Sequence, residues 1–218
     1  MRKGCLRNKL RQVTDFLTFP IRAITLFEND LWGLSSLASE RYDYVAREVG
    51  GYCLDVGCGP NNKFINSYLN GHGIGIDVYP YEGLTADNLI DDINHFPFPD
   101  LYFDTVTFIA NLNHVPKSQR DIELSEAYRC LKHAGNIVVT MGNPVAEILV
   151  HKLVYGYDRF LGTKYDRDSE RGMHPEEEYF LTDTEIRQRL VQAGFKEIVK
   201  KYFWTQWAMN HMLIGWKR

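Results

Sequence analysis

Seven residues, Leu54-Asp55-Val56-Gly57-Cys58-Gly59-Pro60, limit what this chain can fold into more than any other stretch. Tyr52-Cys53-Leu54 reads as a short buried strand. From Lys63 to Leu69 the apolar residues Phe64, Ile65, Tyr68 and Leu69 recur at helical spacing until Asn70-Gly71 stops them. The glycines therefore fall at a strand-to-helix turn. Glycine lets backbone take positive φ and approach a ligand closely, and the first N–H groups of a helix have no partner within it. Such a turn can hold a nucleotide-like molecule on backbone atoms.

Two ligand classes use a turn of this kind. A dinucleotide fingerprint, Gly-x-Gly-x-x-Gly, needs its third glycine for close packing of helix on strand; counting from Gly57, that place is held by Asn62. Asp55 stands just ahead of the turn, where a carboxylate repels a pyrophosphate and attracts an ammonium group. A cationic ligand is thus favoured over a phosphorylated one. Further on, Gly73-Ile74-Gly75-Ile76-Asp77-Val78 reads as a second strand ending in an acid, twenty residues beyond Gly57. A carboxylate there can accept hydrogen bonds from both vicinal hydroxyls of a ribose.

From about Gly50 to Lys217, these motifs resemble the class I S-adenosylmethionine-dependent methyltransferases, in particular the small-molecule group (methyltransferase type 11) that includes the ubiquinone and menaquinone biosynthesis enzymes. The resemblance implies an α/β fold: a Rossmann-like, doubly wound, seven-stranded sheet, mostly parallel with one antiparallel C-terminal strand, joined by N-terminal helices. The cofactor it implies is S-adenosyl-L-methionine. On that pattern Asp55, Gly57, Cys58 and Gly59 form the first cofactor motif, and Asp77 holds the ribose with Val78 beside the adenine. Asp92 accepts from the adenine amino group while the backbone N–H of Ile93 donates to the ring, and Ile109 closes the set at the end of the fourth strand. The chain departs from the family at Pro80-Tyr81-Glu82-Gly83, which leaves room for only a turn before Asn88-Leu89-Ile90-Asp91, where a full helix and the third strand are the rule.

The organisation of the chain follows from this. Residues 1–49 are read as N-terminal amphipathic helices and 50–218 as the methyltransferase-like domain, with an insertion at about 142–181 placed to form a substrate lid. At 218 residues, 44% hydrophobic and 24% charged, the composition is that of an ordinary globular protein. A net charge of −3 gives no reason to expect nucleic acid as partner, and the Asn/Asp-Pro-Pro-aromatic motif of adenine-modifying nucleic-acid enzymes is missing. Cys5, Cys53, Cys58 and Cys130 form no C-x-x-C pair and share no spacing with histidines, so neither a metal site nor a disulfide framework is indicated, and a reducing cytoplasmic setting is expected. Asp166, Asp168 and the run Glu176-Glu177-Glu178 lack the ordered spacing of a calcium loop and read as solvated charge.

In the first thirty residues Leu6, Leu10, Val13 and Leu17 recur at helical spacing among Arg2, Lys3, Arg7, Lys9 and Arg11. Phe19-Pro20 breaks the pattern, and Ile21, Ile24, Phe27 and Leu31 resume it. This predicts a basic, amphipathic helix pair. It either lies peripherally on an anionic membrane or over a greasy substrate, or packs on the domain with its charges solvated.

Ligands of open α/β sheets bind beyond the carboxyl ends of the strands, so Asn111-Leu112-Asn113-His114, after the strand Phe103 to Ala110, should line the reaction centre. His114 is the candidate general base for a hydroxyl acceptor because an imidazole titrates near neutrality; His174 is the second choice. The apolar, tyrosine-rich insertion and the N-terminal helices point to a small hydrophobic or aromatic acceptor. Two other readings stand beside this one: a binding module that keeps the fold without turnover, and a nicotinamide-dependent oxidoreductase, which Asn62 and Asp55 weaken.

Overall fold

The computed structural model describes residues 9–144 and 174–218, together with 152, 155, 156, 159 and 172. The helical stretch expected from Ala146 to Tyr157 and the charged loop from Asp166 to Arg171 lie outside the described residues except at those single positions, as do Cys5 and the basic residues Arg2, Lys3 and Arg7.

In chain order the elements are α1 (Lys9–Thr25), α2 (Leu37–Ala46), β1 (Cys53–Val56), β2 (Gly73–Ile76), β3 (Phe103–Ile109), α3 (Arg120–Cys130), β4 (Leu131–Gly142), α4 (Asp183–Gln192), β5 (Lys196–Tyr202) and β6 (Asn210–Trp216). The strands form one sheet in the order β2-β1-β3-β4-β6-β5. β1 pairs in parallel with β2 and β3, and β3 with β4, whereas β6 runs antiparallel to both β4 and β5. The doubly wound, mostly parallel sheet is therefore present, with its antiparallel strand at the C-terminus.

The count of seven strands is corrected to six among the described residues. The missing strand was expected at Asn88 to Asp91, and there the pairing shrinks to a single parallel bridge between Asp77 and Leu89. Two backbone bonds hold that bridge, from Asp77 N–H to Asn88 O at 2.8 Å and from Ile90 N–H to Asp77 O at 3.0 Å. The Asn88 amide then donates to Gly75 O at 2.8 Å, so a side chain takes an acceptor on the open edge of β2 that another strand would use.

Side-chain alternation puts apolar residues on both faces of the sheet. Leu54, Val56, Val106, Phe108, Ile137, Val139 and Leu213 pack with Leu124 and Ala127 of α3 and Ile186 and Leu190 of α4. On the other face Cys53, Val138, Met212 and Ile214 pack with Tyr44 and Val45 of α2 and with Phe64 and Ile65. α2 begins at Ser36, whose hydroxyl accepts from Ser39 N–H, and α4 at Thr182, whose hydroxyl accepts from Glu185 N–H.

The predicted helix pair at the N-terminus is a single helix that runs through Pro20. An internal proline lacks the N–H that would reach the carbonyl four residues back, which normally breaks or kinks the helix. Here the carbonyl left over, Phe16 O, accepts from the indole Nε1–H of Trp207 at 2.9 Å. The rings of Phe16 and Phe19 also lie 6.1 and 5.4 Å from that of Trp207. Toward the protein α1 buries Asp15, Phe19 and Arg22. Leu10, Val13, Leu17 and Ile21 stay exposed.

Candidate functional site

The bend after β1 is drawn to the tip of β2 by its own backbone. Gly57 N–H and Cys58 N–H both donate to Ile76 O, at 2.8 and 3.1 Å. Gly57 has φ +72, and a Cβ there would overlap the Asn111 amide. Gly59, at φ 63, donates its N–H to Asp77 Oδ2 at 3.0 Å, and Tyr79 N–H donates to Asp77 Oδ1 at 3.0 Å. Asp77 is thus buried at the mouth of the bend with each oxygen bonded to backbone.

Where a dinucleotide-type turn would have its third glycine, Asn62 is buried at φ 45. The glycine has in effect moved to the facing strand: a Cβ on Gly75 would overlap Asn62 Oδ1 and lie 2.6 Å from Cys58 Cβ. The helix expected from Lys63 to Leu69 is shorter than its spacing suggests, a 3₁₀ turn over Pro60–Asn62 followed by one π-helical turn over Phe64–Tyr68.

Three carboxyl groups gather behind this bend. Asp55 is fully enclosed and accepts from the Thr107 hydroxyl at 2.6 Å; burial pushes its pKa up to about 7. Glu123 of α3, also buried, is pushed up to about 8 by desolvation, with the charge of Asp77 adding to the rise in both. Burial thus favours the neutral form of Asp55 and weakens the attraction for an ammonium group expected from the sequence. Burial also drives the Cys58 thiol far above its usual range, so it lines the bend as a neutral group.

The remaining candidates lie along the carboxyl ends of the strands. Val78 is exposed just past β2. Asp92 Oδ1 accepts from the backbone N–H and the side-chain amide of Asn94, at 2.8 and 2.7 Å, while Ile93 packs on the main core. Ile109 is the last residue of β3. Ala110 follows at φ 51 with its N–H donated to Thr140 Oγ1 at 2.9 Å, and this left-handed step brings Asn111 over Gly57.

Past Asn111, the 3₁₀ turn Leu112–His114 presents His114 with its side chain about one-fifth exposed. Its Nε2 lies 3.1 Å from Asn113 Nδ2, and its Nδ1 lies 3.7 Å from Glu177 Oε2. Glu177 is itself buried, with Oε1 accepting from His174 N–H at 2.9 Å. The reading of residues 176–178 as solvated charge is corrected at Glu177 alone; Glu176 and Glu178 are exposed, the first accepting from the Ser118 hydroxyl at 2.5 Å and the second from the buried guanidinium of Arg120 at 2.5 Å. Arg120 also donates to Val115 O and Asn113 O, so one enclosed cation fastens segment 174–178 to the turn that carries His114. His174 itself is exposed, its Nδ1 accepting from Glu176 N–H at 3.2 Å.

Residues 54–139, from β1 to within β4, match a family model described as a methyltransferase domain. This segment is similar to methyltransferase domains. Curated relatives and solved structures that resemble it also carry methyltransferase names. A ubiquinone/menaquinone biosynthesis C-methyltransferase of Paraburkholderia phytofirmans is 32% identical over 143 residues, covering 60% of this chain and 54% of that protein. Its namesake in Burkholderia mallei is 30% identical over 155 residues, covering 66% and 60%. The chain thus spans between half and two thirds of these curated relatives.

Among solved structures, a methyltransferase of Thermotoga maritima superposes with a TM-score of 0.57 at 16% identity, over 95% of this chain and 97% of that one. A TehB-like methyltransferase of Corynebacterium glutamicum gives 0.56 at 14% identity, over 97% and 100%. At such identities the likeness is one of fold.

The sequence motifs single out the glycine bend and Asp77, which the structure joins by a hydrogen bond from Gly59. They put Asn111 in the segment expected to line the reaction centre without its place over Gly57, and they do not single out Glu123 or Glu177. The place of Asn111 depends on the turned backbone at Ala110, which no residue preference announces. Glu123 sits on α3 between Ile122 and Leu124 with nothing to mark it as enclosed.

Proposed function

We propose that the chain transfers a methyl group from S-adenosylmethionine to a small hydrophobic or aromatic acceptor. The observation that carries this reading is the bend from Gly57 to Gly59, where a left-handed glycine without room for a Cβ abuts a carboxylate fixed by two backbone donors. The residues present fit that cofactor. Backbone at Gly57 can approach it closely, and Asp77, as a carboxylate with about four acceptor sites, suits a pair of ribose hydroxyls. Val78, Asp92, Ile93 and Ile109 are the candidates for the adenine and for the wall beside the sulfur, with Asn111 added next to Gly57.

The bound cofactor supplies an electrophilic methyl group, so the chain's own task is to hold the acceptor in line, exclude water and accept a proton. We assign the last role to His114. Glu177 faces its Nδ1, which favours a proton on that nitrogen and leaves Nε2 to accept, from the Asn113 amide at 3.1 Å until the proton of the methyl acceptor takes that place. The named relatives are C-methyltransferases of quinone biosynthesis. This favours an electron-rich ring carbon as the acceptor atom, with the base removing a ring or phenol proton.

Calorimetry with S-adenosylmethionine, S-adenosylhomocysteine and NAD tests the first step. Asp77→Ala is expected to weaken binding of the first two by about 1–3 kcal/mol, the range for a lost hydrogen bond to a charged group. Tight binding of NAD alone would overturn the reading. Incubation of a cell extract with methyl-labelled donor then identifies the acceptor. On it His114→Ala is expected to lower turnover by about 10²–10⁴-fold with cofactor binding unchanged, and Glu177→Gln to lower it less. Normal turnover by His114→Ala would remove that residue from the chemistry.

A further inference from the structure

α1 is built the wrong way round for a helix that serves only a core. Leu10, Val13, Leu17, Ile21 and Ile24 follow one another at spacings of three and four and so form a single stripe. That stripe faces outward, with Leu10 75% and Leu17 69% exposed. The inward side carries Asp15 and Arg22, both buried.

A network fixes this orientation. The Arg22 guanidinium donates to Ser35 O and Glu40 Oε2 at 3.0 Å, to Asp15 O at 2.5 Å and to Thr205 O at 3.3 Å. Turning the helix to bury Leu17 would strip a fully enclosed cation of these partners, which costs more than burial of one leucine returns.

Trp204 and Trp207 widen the apolar face. Phe16 of α1 lies 5.7 Å from Trp204, ring to ring, and both tryptophans remain a little under half exposed. Tryptophan, apolar in body and polar at its N–H, is the side chain favoured at a boundary between oil and water. Charge decides between the surfaces that could meet this face. Arg2, Lys3, Arg7, Lys9 and Arg11 fall within the first eleven residues with no acid among them, in a chain whose net charge is −3. The one acid of α1, Asp15, is buried. Of these five, Arg11 pairs with Asp30 at 3.3 Å, so the stripe leads into a basic segment whose unopposed charge in the sequence is that of Arg2, Lys3, Arg7 and Lys9. An apolar protein partner would satisfy only the stripe; an anionic lipid surface supplies an apolar interior and negative charge together.

We propose that the outward face of α1, with Trp204 and Trp207, docks the protein on an anionic lipid surface, the helix lying in the plane of the headgroups. No helix among the described residues is long and apolar enough to cross a membrane, so the contact is peripheral. It rests on this face alone and holds whatever acceptor the site uses.

The test is co-sedimentation of the full chain with vesicles of phosphatidylcholine alone and of phosphatidylcholine mixed with phosphatidylglycerol, beside the variant Leu17→Glu/Ile21→Glu. Both residues are exposed, so the variant should keep the wild-type melting temperature and circular dichroism spectrum. The expected result is binding to the mixed vesicles, weakened by salt, little binding to phosphatidylcholine, and about a tenfold or larger loss of binding in the variant. Equal binding by variant and wild type, or no preference for anionic lipid, would overturn the proposal. So would a marked drop in the variant's melting temperature, which would mean that another part of the chain covers the stripe, or a dimer that the variant dissociates in a protein that leaves vesicles unbound.

Discussion

Gly57→Ala is expected to lower the affinity for S-adenosylmethionine by at least about tenfold, equivalent to about 1.4 kcal/mol, and to reduce the melting temperature as well. Two separate penalties combine at this position. Gly57 has φ +72, where an L-residue with a Cβ is disfavoured by about 1–2 kcal/mol. Its new methyl group would also overlap the Asn111 amide. The backbone can escape only by moving the two N–H groups that Gly57 and Cys58 lend to Ile76 O, and with them the N–H of Gly59 that orients Asp77. A double-mutant cycle separates the terms. Asn111→Ala in the Gly57→Ala background removes the overlap and leaves the dihedral strain, so it should recover part of the loss and not all of it. Calorimetry reads the affinity and thermal unfolding reads the strain. Unchanged affinity in Gly57→Ala would mean that the cofactor does not lie against this bend.

What could be read from the sequence, and what could not, divides along the range of the interaction concerned. The strand, the glycine bend and the acid at the end of β2 lie within about two dozen residues, and local pattern was enough to place them. The short connection after Pro80 was also visible. Its consequence, a third strand reduced to one bridge, depends on the Asn88 amide occupying Gly75 O, which only the folded edge reveals. Pro20 misled for the same reason. Locally it predicts a break, and its remedy is an indole 191 positions away from Phe16. Glu177, in the middle of a glutamate run, looks like solvent-facing charge because the imidazole it faces, His114, sits on the far side of the insertion. A charged side chain declares its residue type in the sequence but not whether a counter-charge will meet it.

Arg22→Met should destabilise the protein by about 3–5 kcal/mol, read as a fall in the midpoint of urea unfolding, because it leaves a buried carboxylate without its counter-charge. Glu40 is as enclosed as Arg22, and the Gln206 amide that also reaches it, at 2.8 Å, is a neutral donor that cannot replace a guanidinium. The carbonyls of Asp15, Ser35 and Thr205 would lose their guanidinium donors in the same step. Adding Glu40→Leu should restore much of the loss, since replacing both members of a buried ion pair by apolar side chains is often neutral or better. The two variants therefore separate stability from orientation. With Arg22 and Glu40 both apolar, the largest polar demand on the inner side of α1 is gone; Asp15, which accepts from Ser35 Oγ at 3.2 Å, Arg11 donating to Ser35 Oγ at 3.0 Å and the Trp207 indole on Phe16 O still hold the helix, less firmly than before. The stripe carrying Leu17 can then roll inward. Arg22→Met/Glu40→Leu should accordingly unfold near the wild-type midpoint while binding less to anionic vesicles, since the ion pair keeps the apolar face turned toward water.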